Sequence, residues 1–441
     1  MLKMIVKLIC KLLQAFLKRS GRGTSLPGEI ALKLDKNILK KFKMPKTTIF
    51  VTGTAGKTSI TGTVSNILRE AGYRVGTNSK GSNLSYGVVS TLIDNSSITG
   101  KSKVDALVIE IDERYVKKVL PYITPDYFII SNLSRDQLAR NGHFDFVFDD
   151  VNQEIKEKTH LILNADNPLS SRFALDKNNP VTYFGVQKNK YSSLEYKDKI
   201  DVTYCPKCKS KINYEYFNYG NFGLYHCTNC DFGRNLPKYE AKLENENIII
   251  DGQQIKMPND SLYNVYNIAA AYTLAKEIGI ESEKIANALN NLNLETKRFE
   301  EFSIGDNKGT ILVSKNETPI SYNQSLNFVS RLEGEKVIAI GFTRISGRYD
   351  DKDISWLYDI DFGLLNKVNA EKIILFGKYA YDLAVRLNIE NIDMSKVQIV
   401  YDYNEVYNTL KECDKEIYCV FYFDMEKELK KQLKENGEKI W

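Results

Sequence analysis

Residues 47–61 read TTIFVTGTAGKTSIT. Ile49, Phe50 and Val51 make a short apolar run of the kind that forms a buried strand. The chain then breaks into Gly53-Thr54-Ala55-Gly56-Lys57-Thr58, and the helical run SITGTVSNILREAG follows from Ser59. Strand, glycine turn and helix in that order predict a phosphate-binding loop. The glycines let backbone N–H groups turn inward toward an anion, and the helix adds the positive end of its dipole. Lys57 is then placed for the β- and γ-phosphates, and the Thr58 hydroxyl for magnesium. The full Walker pattern has a glycine where this chain has Val51, so the loop is the shorter TGTxGKT variant. The candidate nucleotide contacts are Gly53, Thr54, Gly56, Lys57, Thr58 and Ser59.

The rest of the chain is consistent with an enzyme built around that loop. Its 441 residues exceed one ordinary core, so two or three domains are expected. A hydrophobic fraction of 43% is that of a soluble globular protein, and a net charge of +5 is too mild to argue for nucleic acid. Downstream of the loop, residues 105–111 (DALVIEI), 127–131 (YFIIS) and 160–164 (HLILN) read as buried strands alternating with helices. Such alternation predicts a mostly parallel sheet with its ligand at the carboxyl ends of the strands. Glu110 and Asp112 fall at one such end, as magnesium-shell candidates or as solvated acids. Residues 263–279 (YNVYNIAAAYTLAKEIG) read as a helix ended by glycine. From about residue 298 a second α/β unit begins, with strands at 310–313, 336–340, 372–376, 397–400 and 417–421 and no second phosphate loop.

The seven cysteines include two CxxC pairs, Cys205-Pro206-Lys207-Cys208 and Cys227-Thr228-Asn229-Cys230. Two such knuckles bring four thiolates into a tetrahedron around zinc, as in a zinc ribbon. The set leaves no open coordination position, which makes the metal structural. Without a dense basic patch the ribbon reads as a brace for its domain, not as a nucleic-acid module.

The first twenty residues, MLKMIVKLICKLLQAFLKRS, put Leu2, Ile5, Ile9, Leu12 and Phe16 on one helical face with lysines between. The run is too short and too charged to span a bilayer, and it lacks the unbroken core of a signal peptide. It either packs on the protein or lies on an anionic membrane face. A cytoplasmic location is expected, with the inner membrane surface open as a docking place. The domain reading is 1–45 for this helix and lead-in, 46–297 for the ATP-binding domain with the ribbon at about 203–234, and 298–441 for the C-terminal domain.

Taken together, the motifs resemble the Mur ligase family. The matching stretches are TGTAGKTS (52–59), VIEIDE (108–113), SNLSRDQLARNG (131–142), LNADNP (163–168), YNVYNIAAA (263–271), KRFE (297–300) and DISWLYDIDF (353–362), in family order. The four-cysteine insertion points within the family to the branch that works as synthetase subunits of a glutamine amidotransferase. The resemblance implies an α/β fold: a Mur ligase-like P-loop ATPase domain with a parallel sheet and an inserted zinc ribbon, followed by a second α/β domain. It also implies a reaction. ATP phosphorylates the D-glutamate α-carboxylate of the lipid II stem peptide, and ammonia from a GatD-like glutaminase subunit, in a heterodimer, converts the acyl phosphate to D-isoglutamine. ATP, magnesium and structural zinc are the implied cofactors.

By the same resemblance, Thr58 and Glu110 hold magnesium, Asn267 touches the adenine, and Asn164 with Asp166 lies near the nucleoside. Arg298 reaches the phosphates from the inter-domain hinge. Asp353 completes the partner's Cys-His pair, with Asp351 and Asp359 as alternates. The chain departs from the family at Asp136-Gln137, where many members have Asp-His. It departs again at Val313-Ser314-Lys315, which leaves Lys315 as the charged contact of that loop. Only three histidines exist, and no cysteine sits on an obvious nucleophile turn, so ammonia has to come from outside the chain. Two alternatives stay open: a stand-alone Mur or folylpolyglutamate-like ligase, and a zinc-ribbon ATPase acting on nucleic acid.

Overall fold

The computed structural model describes residue 10 and residues 25–78, 82–135, 143–195, 201–257, 262–292, 299–314, 319–342 and 354–441. The amphipathic helix expected at the N-terminus lies outside them except for Cys10, which is buried. Asp136-Gln137, Arg298, Lys315, Asp351 and Asp353 also lie outside the described residues. The chain forms two compact units, one reaching to Leu294 and one built mainly from Glu295–Trp441.

The strands of the first unit are β1 (Thr47–Thr52), β2 (Val75–Thr77), β3 (Ala106–Glu110), β4 (Tyr127–Ile130), β5 (His160–Asn164) and β6 (Val181–Val186). They continue with β7 (Ile212–Tyr219), β8 (Phe222–Cys227), β9 (Tyr239–Glu244), β10 (Asn247–Ile250) and β11 (Gln253–Lys256). Nine of these form one sheet in the order β11-β10-β9-β6-β5-β4-β1-β3-β2, while β7 and β8 make a separate antiparallel hairpin. Pairing is parallel from β2 through to β9, and β9, β10 and β11 then run antiparallel.

Strand β1 shows why this sequence makes a doubly covered sheet. Its side chains alternate between faces, as the two-residue strand period requires. Ile49 and Val51 enter one buried cluster with Ile60, Val64 and Ile67 of the helix Lys57–Glu70 and with Val265 and Ile268 of the helix Leu262–Ile278. Phe50 enters the opposite cluster with Val88, Val89 and Leu92. The helix Leu262–Ile278 is buried along most of its length, and the consecutive Ala269, Ala270 and Ala271 keep it slim where it packs. Each large apolar side chain fully buried this way contributes about 1.5–3 kcal/mol. Registration then fixes the site: Val51 pairs with Glu110 on β3 and with Ile129 on β4, so the loop leaves the sheet level with both neighbours' carboxyl ends.

The second unit has strands β12 (Phe299–Ile304), β13 (Asn307–Ser314), β14 (Lys336–Gly341), β15 (Ala370–Phe376), β16 (Val397–Val400) and β17 (Glu416–Tyr422). Their order is β12-β13-β17-β14-β15-β16, parallel except for the edge strand β12. Its core includes Val337, Ile338, Phe342 and Trp356, the last from the DISWLYDIDF stretch. Among the described residues no helix is long and apolar enough to cross a membrane.

Candidate functional site: a braced glycine loop and a four-cysteine hairpin

The loop after β1 curls through two glycines with left-handed backbone, Gly53 at φ 131° and Gly56 at φ 86°. Gly56 is the N-cap of the helix Lys57–Glu70 and has no side chain to cap its first turn. The first N–H groups of a helix need outside acceptors, and a phosphate supplies them. The loop is pinned from the end of β4. The Ala55 N–H donates to Asn132 Oδ1 at 3.1 Å, Asn132 Nδ2 donates back to the Ala55 carbonyl at 3.0 Å, and Ser131 Oγ donates to the same carbonyl at 2.7 Å. The Thr54 N–H donates to the Asn132 carbonyl at 3.0 Å, and Thr54 Oγ1 accepts from the Ser134 N–H at 3.1 Å. A Cβ on Gly53 would sit 2.2 Å from Ser131 Oγ, so the brace leaves room for glycine alone.

Lys57 is buried, its Nζ donating to the Gly53 carbonyl at 2.5 Å and to Glu113 Oε1 at 3.0 Å. Burial by itself lowers the lysine pKa, but Glu113, then Asp112 and Glu110, outweigh it and leave the pKa raised. The loop therefore carries a permanent positive charge at neutral pH. Glu110 is buried at the end of β3, where its Oε1 accepts from Asn83 Nδ2 at 3.0 Å. Asn78 clamps the backbone of Glu110 from both sides, Oδ1 accepting its N–H and Nδ2 donating to its carbonyl, each at 2.8 Å. Thr58 is exposed and Ser59 half-buried.

Asn267 and Asn164 each offer a buried amide donor. Asn267 packs on the loop, with Oδ1 2.3 Å from where a Cβ on Gly56 would stand. Its Nδ2 is buried and has no hydrogen-bond partner among the described residues, and the same holds for Asn164 Nδ2. Buried donors of this kind call for an acceptor, and a bound nucleotide is one. Asp166 is bonded on all sides by the protein. It is fully buried, with Oδ1 accepting from Arg234 Nε at 2.7 Å and Oδ2 accepting from the Tyr266 hydroxyl at 2.7 Å and the Val186 N–H at 2.9 Å. Both oxygens are occupied by protein donors.

The four cysteines meet at the mouth of the β7–β8 hairpin. Their Sγ atoms all lie within 4.8 Å of one another, with Cys205–Cys230 at 3.6 Å and Cys208–Cys227 at 3.3 Å. A zinc ion about 2.3 Å from each sulfur requires edges of about 3.8 Å, which this cluster fits. The knuckles are shaped to present sulfur: the Cys205 N–H donates to the Ser210 carbonyl at 2.7 Å, and the Asn229 N–H points at Cys227 Sγ at 3.4 Å. Backbone and side-chain donation from Ser210 pulls the Cys208 thiol down to about 6, while burial and the neighbouring sulfurs push Cys205 and Cys230 up. Behind the cluster, Tyr225 is buried between Tyr214 and Phe232.

The structure thus brings Gly53, Thr54, Gly56, Lys57 and Asn267 together at one loop, with Glu110 at the end of the neighbouring strand. The reading of the sequence missed Ser131 and Asn132 as the loop's brace, Glu113 as the partner of Lys57, and Arg234 as the partner of Asp166. Asn132 lies in SNLSRDQLARNG and Glu113 in VIEIDE, so the signal was present as two quoted motifs without a role.

Comparison with known proteins gives the same picture. Residues 51–275 match the Mur ligase middle domain, and residues 313–425 match the MurT ligase C-terminal domain. Over 381 residues the chain is 33% identical to the MurT subunit of the glutamine-hydrolysing lipid II isoglutaminyl synthase of Staphylococcus aureus (strain COL), covering 85% of this chain and 84% of the relative. It is 30% identical over 408 residues to the MurT subunit of the corresponding synthase of Streptococcus pneumoniae, covering 90% and 89%. Among solved structures, a pseudomurein peptide ligase type C from Methanothermus fervidus matches at a TM-score of 0.67 and 20% identity, over 91% of this chain and 81% of that one, a likeness of fold.

Proposed function

The chain belongs to the Mur ligase family, in its MurT branch, and from that premise we propose that it is the ATP-using synthetase subunit of a lipid II isoglutaminyl synthase. The substrate carboxylate is the α-carboxylate of D-glutamate in the lipid II stem peptide. The γ-phosphoryl group of ATP passes to a carboxylate oxygen: the bond to the ADP oxygen breaks and a bond from phosphorus to the carboxylate forms. The lone pair of ammonia then attacks the acyl carbon. A C–N bond forms, the C–O bond to phosphate breaks, and the nitrogen sheds a proton, leaving D-isoglutamine.

Within that reaction the loop's work is electrostatic. The Gly53–Ser59 backbone cradles the phosphates, and Lys57 places a fixed positive charge against them where charge spreads during transfer. Glu113 keeps Lys57 charged and inside the site, and the incoming phosphates share the ammonium with it or displace it. Magnesium held by Thr58 and Glu110 would add Lewis-acid neutralisation of the phosphoryl oxygens. The buried amides of Asn164 and Asn267 are donors for the nucleotide. Zinc on Cys205, Cys208, Cys227 and Cys230 would close the β7–β8 hairpin. A GatD-like glutaminase supplies the ammonia, and Asp353 serves that partner's active site. The reaction takes place in the cytoplasm, at the membrane face where lipid II is presented.

The observation that supports this reading most is the pairing, in one unit, of the braced Gly53–Lys57 loop with the four-cysteine hairpin. Its test is ATP turnover by Lys57→Ala with lipid II and ammonium present. Loss of ADP release, with metal content and circular dichroism as in the wild type, is the expected result. Wild-type turnover by the variant would remove the phosphate-loop assignment.

A further inference from the structure

We propose that Asp166 and Tyr266 are positioning residues through which the four-cysteine hairpin sets the nucleotide loop, an inference that rests on reading residues 53–59 as the ATP site. The connection is a short chain of buried contacts. Arg234, four residues beyond Cys230, donates from Nε to Asp166 Oδ1 at 2.7 Å and also pairs with Glu240 through Nη2. The N–H of Gly223, on β8, donates to the Asp166 carbonyl at 3.0 Å. Side chain and backbone of Asp166 are therefore both held from the insertion. From Oδ2, Asp166 accepts the Tyr266 hydroxyl proton at 2.7 Å. The insertion also grips Tyr266 directly: Phe222 meets its ring edge-on at 5.1 Å between centroids, and Asn218 Nδ2 donates to its hydroxyl oxygen at 3.3 Å. The next residue on that helix is Asn267, whose Oδ1 rests on Gly56.

A buried carboxylate without its cation is costly enough that it protonates or moves. Opening the hairpin takes away Arg234, Asn218 and Phe222 at once. Asp166 then loses its counter-charge, Tyr266 loses Asn218 and Phe222, and the turn of helix that presses Asn267 on the loop is left with its core packing alone. The nucleotide site is therefore under the control of a metal cluster that never touches nucleotide. Because the contacts act on ground-state binding of ATP, their loss raises KM for ATP and leaves kcat at saturating ATP nearly unchanged.

The experiment uses the full chain purified with its glutaminase partner, and reads magnesium-ADP binding by calorimetry, zinc content by emission spectrometry, and KM against kcat. Wild-type protein is measured first; if it does not bind ADP, the ATP-site reading has failed and not this inference. With binding established, Tyr266→Phe and Asp166→Asn should keep one zinc per chain and weaken ADP at least about tenfold, as expected for losing a charged hydrogen bond. Zinc removal by chelation should weaken ADP at least as much while far-ultraviolet circular dichroism persists. If Asp166→Asn does not fold, Tyr266→Phe and chelation carry the test. ADP affinity within about twofold of wild type in Tyr266→Phe, or in zinc-free folded protein, would overturn the proposal.

Discussion

Lys57 Nζ and Glu113 Oε1 lie 3.0 Å apart in the interior of the first unit, with both side chains about nine-tenths buried. The lysine that should meet the phosphates already has an anion. Its charge is therefore prepared before nucleotide arrives, and the pair holds the glycine loop closed around the Gly53 carbonyl.

Removing the acid should cost stability with a definite pH dependence. Glu113→Gln leaves a buried ammonium short of its main partner, at a cost of about 3 kcal/mol. The folded pKa of Lys57 is raised above its unfolded value, so this stabilisation is fully present below the unfolded lysine value of about 10.4 and is lost as pH rises through the folded one. The stability gap between wild type and Glu113→Gln, read by urea unfolding, should be widest near neutral pH and narrow as pH rises toward the unfolded lysine value, because the unpaired buried ammonium of the variant sheds its proton first. No gap at neutral pH would contradict the pairing.

Gly56→Ala should damage nucleotide binding more than folding. At φ 86° an alanine is strained by about 1–2 kcal/mol, and its Cβ would stand 2.3 Å from Asn267 Oδ1. The amide must swing away, taking with it a buried donor next to the loop. A modest drop in melting temperature together with at least about a tenfold rise in KM for ATP is expected. Gly62→Ala is the control, because a Cβ there meets nothing within 4 Å.

The phosphate loop and the cysteine cluster were legible in the sequence because each is local. Ile49 to Val51 announce a strand without help from the rest of the chain, and a CxxC knuckle carries its chemistry in four residues. The parallel strands β13 to β17 were legible too, since each is short and mostly apolar. Strand β12 was not: FEEFSI alternates as a half-covered antiparallel edge does, and no continuous run marks it. Strands β9 and β11 carry no such run either, while Ile248-Ile249-Ile250 of β10 is one that went unread. Partners far apart in sequence were invisible. Nothing in LNADNP points to Arg234, which the fold brings to Asp166 across 68 positions. Asn132 reads as one polar residue among several until β4 carries it under Ala55.

The cysteine cluster gives a prediction independent of catalysis. Cys208→Ser removes one of four sulfurs that sit at tetrahedral spacing, so zinc content should fall well below one per chain. Stability should fall with it, because the energy of holding the ion is also energy of folding the hairpin. Unchanged zinc in the purified variant would dismiss the metal assignment.

The most direct test of the account is amidation of lipid II by the purified chain with ATP and magnesium, followed by mass spectrometry of the stem peptide. Ammonium and glutamine are supplied separately, each with and without a GatD-like glutaminase. The account predicts D-isoglutamine with ammonium from the chain alone, and with glutamine only when the partner is present. Consumption of ATP with a free amino acid, and no amidation under any of these conditions, would contradict it.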